Sequence, residues 1–385
     1  MQAEDLLRSL LDSRSQSTTM NEASVEPTRI RLLAILRREP RSASELAREL
    51  SISRQTVYRG VPACIESGLV REEDGQYTLT CAGGYLLRRY RRFTRYERIQ
   101  ILPKVARSKH RHWVLQTLSK QESRRATLNA IAKREPESGP SRSTIYRILN
   151  EFTQEGYLEN TDGPYVISRE GAQFLDEYDR LMRAVEGVLT ARAFLRWLPA
   201  EFDDFPIEEL EEADMVYNTY KQPHLCLSAF IEMADPELET FHGIGTIVSP
   251  TLAQAYRPVF RGDGKVRLVF TDDVLFELHR DREFMQFLKE QGYGSFIKRG
   301  LYARSAEFRF VKGELPLHVA VSDEAQVVIA PAPSTGVTES ETTGIVSTNP
   351  QVLGWALNYF EQLFSQGRSP LRAFLDNAVR RRRAA

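Results

Sequence analysis

Ser141, Arg142, Ser143, Thr144, Tyr146 and Arg147 bring four hydroxyls and two guanidinium groups together within seven residues. The set contains no nucleophile paired with a base and no metal-ligand spacing. It suits a different chemistry: arginine forks onto phosphate or guanine, and short hydroxyls donate to phosphate oxygens or base edges. A near copy of the set stands 88 residues earlier as Ser53, Arg54, Gln55, Thr56, Tyr58 and Arg59, with Gln55 in the place of Ser143.

A helix is the element that would hold these groups outward. Ile145, Ile148, Leu149 and Phe152 recur at i, i+3, i+4 and i+7, so one face of residues 142–154 is apolar and the polar set is forced onto the other. Ser141 is placed to cap the start and Gly156 to end the last turn. Residues 53–68 and 141–156 superpose without a gap, and the register continues from Leu69 onto Tyr157, Tyr77 onto Tyr165, Thr80 onto Ser168 and Gly83 onto Gly171. Upstream the offset shrinks to 85 and then 82, so the second copy has two longer loops.

Each copy reads helix, turn, helix, turn, helix and then a short strand pair. In the first, residues 29–38 carry Ile30, Leu33, Ala34 and Leu36; Ser42 and Glu45 are spaced as a capping box; and residues 72–76 are a hairpin tip between two short strands. This is a helix-turn-helix followed by a wing. Both copies resemble the winged-helix DNA-binding domains of archaeal and bacterial transcription regulators. Pro62 breaks the pattern of the first recognition helix, where it removes an N–H and opposes the carbonyl of Tyr58, so a kink or early end is expected there. The second recognition helix is uninterrupted and its wing, residues 160–164, is less acidic than the Glu72, Glu73, Asp74 tip, which makes the second copy the expected main base reader.

Net charge is zero, yet residues 1–200 carry an excess of +8 and residues 201–385 an excess of −8. The basic excess peaks between the copies, at Arg88, Arg89, Arg91 and Arg92 and on through Lys104, Arg107, Lys109 and Arg111. These arginines, interleaved with tyrosine, are expected to neutralise phosphates; the competing use is a solvated helix face whose aromatic residues pack inward. Three cysteines without a pairing framework, no secretory leader and no apolar run of about 18 residues lead to the expectation of a cytoplasmic protein with no membrane partner.

The chain divides, on this reading, into a partly disordered leader (1–24) with an amphipathic start at Leu6, Leu7, Leu10 and Leu11, the first winged helix with its basic connector (25–106), the second with a long linking helix running to Leu198 (107–199), an α/β sensor or dimerisation domain (200–366) and a basic tail (367–385). The third part alternates strand-like runs at 215–217, 245–248, 265–271, 307–312, 317–322, 326–330 and 344–347 with helical patterns at 250–260, 272–291 and 351–364. The fold class expected is therefore α+β: tandem winged helix-turn-helix domains followed by a C-terminal α/β domain with one mixed sheet.

This third part resembles the C-terminal module of archaeal winged-helix regulators of the methanogenesis-regulator type, with a FilR-like middle domain. The residues that carry the likeness are WLP at 197–199, FPIEEL at 205–210, VRLVF at 266–270 followed by TDDVL at 271–275, LPLHVAVSD at 315–323 and the closing helix 353–364. The resemblance implies transcription regulation with double-stranded DNA as partner and a C-terminal module that senses a small-molecule effector or holds a homo-oligomer together. Many such regulators have a single winged helix, and their halophilic members are strongly acidic, whereas this chain has two and is neutral.

No catalytic constellation is expected and no cofactor. His318 lacks a lysine two residues on, the glycines at 243–245 and 262–264 fit a strand and a turn, and paired acids such as Asp272 and Asp273 suit a helix start. Tyr217, Tyr220, Phe241, Phe270 and Phe310 are candidates for an effector pocket, with core packing as the main use of most. Two other readings compete with a regulator: an enzyme whose catalytic domain, residues 200–366, is docked on nucleic acid by the winged helices, and a protein-interaction scaffold.

Overall fold

The computed structural model describes residues 2–11, 26–96, 101–120, 125–126, 128–132, 139–160, 164–246, 249–274, 282–283, 286, 290 and 306–376. Two compact units divide the chain, Met1–Thr190 and Ala191–Ala385.

The first unit holds both copies of the repeat. Helix α1 (Ala3–Leu10) precedes α2 (Thr28–Leu36), β1 (Arg41–Ser42), α3 (Ala43–Leu50), α4 (Arg54–Glu66), the hairpin β2 (Val70–Glu73) and β3 (Gln76–Leu79), and α5 (Cys81–Tyr96). The second copy runs α6 (Ile101–Ala106), α7 (Lys109–Ser119), β4 (Arg125–Ala126), α8 (Leu128–Ala132), α9 (Arg142–Gln154), β5 (Leu158–Asn160), β6 (Tyr165–Ile167) and α10 (Arg169–Thr190). Each wing is a three-stranded sheet: β1 joins β3 through Arg41 and Tyr77, and β4 joins β6 through Ala126 and Tyr165.

Local sequence explains most of these elements. The Ser42 hydroxyl accepts from the Glu45 N–H while the Glu45 carboxylate accepts from Ser42, a complete capping box at the start of α3. Asp74 and Gly75 both sit at positive φ, the backbone a tight two-residue hairpin needs. Helix α4 does not stop at Pro62; it runs through to Glu66. Pro62 lies on the exposed face, while Val57, Val61 and Cys64 stay buried and hold the helix to the core.

Two further expectations change, and a third is not reached. The segment read as a leader contributes α1, whose Leu6, Leu7, Leu10 and neighbouring Leu11 are buried against the rest of the unit; residues 12–25 lie outside the described residues. The linking helix ends at Thr190, and a separate four-residue helix, α11 (Arg192–Leu195), follows. The tip of the second wing, 161–163, lies outside the described residues.

The second unit is a seven-stranded mixed sheet in the order β10-β9-β8-β11-β12-β13-β7, from β7 (Asp214–Tyr217), β8 (Thr240–Gly245), β9 (Lys265–Thr271), β10 (Ala306–Val311), β11 (Leu317–Ser322), β12 (Gln326–Pro331) and β13 (Thr343–Ser347). β8, β9 and β10 are parallel and the remaining pairings antiparallel. α12 (Leu225–Glu232) and α13 (Pro250–Arg261) cover one face, where Met233, Tyr256 and Val259 meet Phe241, Val266, Leu268 and Ala320. α14 (Pro350–Gln366) covers the other, with Phe360 stacked on His242 at 4.9 Å. The strand expected at 245–248 lies earlier, at Thr240–Gly245; His242 and two glycines disguise a central strand that is buried by both neighbours. Most of the helix expected at 272–291, and residues 377–385 of the basic tail, lie outside the described residues.

Candidate nucleic-acid interface

Helices α4 and α9 are each 13 residues long and begin alike. The Ser53 hydroxyl accepts from the Thr56 N–H at 3.1 Å and the Ser141 hydroxyl from the Thr144 N–H at 3.3 Å, and each serine also meets the threonine hydroxyl, at 2.9 and 3.0 Å. These caps satisfy N–H groups that a free helix end would leave bare, a contribution of about 1 kcal/mol each. Ile145, Ile148, Leu149 and Phe152 are buried under α9, and burial of such side chains contributes roughly 1.5 to 3 kcal/mol apiece. That leaves the polar face no choice of direction.

The polar face begins alike in both copies, apart from Gln55 in the place of Ser143. Ser53, Arg54, Gln55, Tyr58 and Arg59 are exposed on α4 and its cap, and Ser141, Arg142, Ser143, Tyr146 and Arg147 on α9 and its cap; Thr56 and Thr144 are half-buried. Tyr58 and Tyr146 keep 59% and 51% of their surface open, unusual for side chains of that size. Behind them, Tyr77 and Tyr165 of the wings have hydroxyls that titrate above the usual tyrosine range, chiefly through burial.

The two faces then diverge. Arg142 donates to the Asn129 side-chain oxygen on α8 at 2.6 Å, which orients its guanidinium from below. Arg59 donates through Nε to the Gln55 carbonyl at 3.4 Å, within its own helix. Beyond Arg147, α9 offers Asn150 and Gln154 where α4 has Pro62 and Glu66. Tyr146, Arg147, Asn150 and Gln154 line an open groove with Arg111 and Glu151. Arg111 is held by Glu151 at 2.8 Å and Lys104 by Glu155 at 2.7 Å, the latter bond raising the lysine above its ordinary range. These two cations, read from sequence as part of a phosphate-facing stripe, instead neutralise carboxylates on the edge of α9.

The connector is a helix of the core. Tyr85, Leu86, Leu87, Tyr90 and Phe93 of α5 are buried, and Phe93 meets Phe174 of α10 edge-on at 5.3 Å. Arg88 and Arg89 lean on Tyr85, the latter donating to its hydroxyl at 3.1 Å. Arg91 and Arg92 are exposed. The inward aromatic packing is therefore present, and the arginines divide into a braced pair and an open pair.

In the second unit the five aromatic residues considered for a pocket do not converge. Phe241 is buried against Tyr256, Phe270 and Phe310 pair across β9 and β10, and Tyr217 and Tyr220 are exposed. The three cysteines are buried and form no disulfide, and burial pushes the Cys64 thiol up to about 11. Among the described residues no group of three His, Cys, Asp or Glu side chains is placed to hold a metal ion. No helix among them is long and apolar enough to cross a membrane.

Comparison with known proteins agrees with the duplicated reading. The HVO_A0261 N-terminal domain matches twice, at residues 23–101 and 102–189, and the middle domain of the methanogenesis regulatory protein FilR1 matches residues 223–366. No curated protein sequence matches the chain. Among solved structures, TrmBL2, an archaeal chromatin protein whose structure is described as showing a novel mode of DNA binding, is 12% identical with a TM-score of 0.31, over 67% of this chain and 92% of its own. NucT from Helicobacter pylori (11% identical, TM-score 0.30) and the phospholipase D family member Nuc from Salmonella typhimurium (13%, 0.27) each align with 41% of this chain and 98% of their own. Likenesses this distant say nothing of what the chain binds. The chain carries two HVO_A0261 N-terminal domains ahead of a FilR1 middle domain.

Proposed function

We propose that the protein is a sequence-specific transcription regulator that binds double-stranded DNA, with α9 as its main base reader. The observation that carries this reading is the repeated outward set of serine, arginine, tyrosine and arginine on two capped helices, each backed by a three-stranded wing. Such a surface donates hydrogen bonds and carries positive charge, which is what phosphates and the major-groove edges of bases accept. Asn129 bracing Arg142, and Asn150 and Gln154 extending the polar face, favour α9 over α4. The second unit, with 13 Lys and Arg against 26 Asp and Glu across residues 201–366, is repelled by phosphate; its role is to bind a small effector or a second copy of the chain without performing chemistry.

The test is selection of duplexes from a random pool by the full-length protein, followed by titration of the selected duplex. Recovery of a defined motif, bound at least a hundredfold better than unrelated duplex at the same salt, is the expected result. Enrichment of no motif would remove the reading.

A further inference from the structure

We propose that a single chain reads a bipartite operator: two related but unlike half-sites at one fixed spacing, one taken by α4 and the other by α9. This rests on the DNA-binding reading above and goes beyond it, because tandem readers joined by a flexible tether tolerate variable spacing, whereas readers fused through a common core do not.

The fusion is visible in three places. Phe93 at the end of the first copy and Phe174 in the last helix of the second are in edge-to-face contact, at 1% and 0% exposure. The N-terminal helix α1, which belongs to the first copy by position, buries its leucines among helices that include α6 and α10 of the second; Tyr178 of α10 lies in the electrostatic reach of Glu4 and Arg8. The same α1 is tied to the first copy, since Arg29 of α2 donates to the Ser9 carbonyl. Moving one winged helix against the other would bare these side chains together, so the unit offers its two recognition helices as one rigid pair.

The half-sites are related because both helices present serine, arginine, tyrosine and arginine at matching positions. They are unlike because Gln55 stands where Ser143 does, and Pro62 and Glu66 where Asn150 and Gln154 do. A glutamine carboxamide pairs with adenine through two hydrogen bonds, while a serine hydroxyl serves several bases. The half read by α4 should thus be shorter and more dependent on Gln55. A symmetric dimer that used only its two α9 helices would instead read a palindrome.

The experiment uses full-length protein on a duplex selected from random sequence, with footprinting and native mass spectrometry to count chains. The expected footprint has two unlike halves for every bound chain. Arg59→Ala should lift protection from one half and Arg147→Ala from the other, both variants keeping the parent's circular dichroism and melting temperature. Inserting about 5 base pairs between the halves turns the second half to the opposite face of the duplex and should weaken binding at least tenfold; about 10 base pairs restores the face but not the distance and should also weaken it. Gln55→Ser should keep binding and relax base preference in the α4 half alone. A palindromic footprint holding two chains and unchanged by Arg59→Ala would overturn the proposal while leaving DNA binding intact; a chain that selects no sequence would bring down both.

Discussion

The Thr80 hydroxyl donates to the carbonyl oxygen of Gly68 across 2.6 Å, and 88 residues later the Ser168 hydroxyl repeats the bond to Gly156 at 2.8 Å. In both copies the same hydroxyl also accepts from an N–H three residues on, that of Gly83 or Gly171. This corner ties the end of the recognition helix to the start of the helix behind the wing, and so fixes the recognition helix against its own sheet. A Cβ on Gly83 would collide with the Leu69 carbonyl and one on Gly171 with the Tyr157 carbonyl, both backbone atoms that cannot swing aside.

Thr80→Val and Ser168→Ala should therefore each cost about 1 to 3 kcal/mol, the usual penalty for stranding buried partners, measured as a shift in the urea midpoint. Thr80→Ser should restore most of the loss. Gly171→Ala should be worse than Ser168→Ala, because the clash is with main chain. A tolerated Gly171→Ala would mean that the two helices are free to part at this corner.

Base reading should be unequal. Arg147→Ala and Arg142→Ala are expected to weaken binding to a selected duplex by roughly 1 to 3 kcal/mol, the range for removing one base-edge interaction, and Arg59→Ala by less. Asn129→Ala should reproduce part of the Arg142→Ala effect by releasing the guanidinium that Asn129 braces. Equal effects at Arg59 and Arg147 in titrations at one salt concentration would contradict the asymmetry.

The connector arginines should separate into two pairs by salt dependence. Neutralising Arg91 and Arg92, which are exposed, should lower affinity for every duplex and flatten the plot of log K against log salt by about 0.9 for each phosphate that is no longer neutralised. Neutralising Arg88 and Arg89, which lean on Tyr85, should show first as reduced thermal stability. If the slope stays the same when Arg91 and Arg92 are replaced by glutamine, they are only a solvated face.

His318 should make the second unit sensitive to mild acid. Burial pushes its imidazole down to about 4, and the ring sits beside Thr246, whose N–H donates to Nδ1 at 3.4 Å. The unfolded chain therefore binds a proton more readily than the folded one between the ordinary histidine value, about 6.5, and 4. Stability from this group is whole above that window, falls as the pH drops through it, by about 3 kcal/mol in all, and changes no further below it. His242, lowered by burial and then by Arg267, acts in the same direction. Urea unfolding followed by tryptophan fluorescence should show the decline between about pH 6.5 and 4, and His318→Asn should reduce it; an identical slope in the variant would assign the acid sensitivity elsewhere.

What the sequence by itself determined were the elements whose causes are local. The apolar stripe of Ile145, Ile148, Leu149 and Phe152, the Ser42 and Glu45 capping box and the Asp74 and Gly75 turn each depend on residues within one or two turns of chain, so their spacing already says what they form and which side chains must face outward. The repeat at 88 residues makes two winged helices legible in the same way. Tertiary structure decided the rest. β1 and β4 are two residues long and exist only because β3 and β6 offer them a partner. Helix α4 passes through Pro62 because that residue falls on the water side while Val61 and Cys64 fall on the core side. β8 is a strand because its neighbours on both sides pair with it, although His242 and its glycines break the apolar run. Lys104 and Arg111 are taken up by Glu155 and Glu151, 51 and 40 residues away, and Phe93 packs on Phe174 in the other copy. Each of these outcomes depends on residues far apart in sequence meeting in space, which periodicity and turn chemistry do not encode.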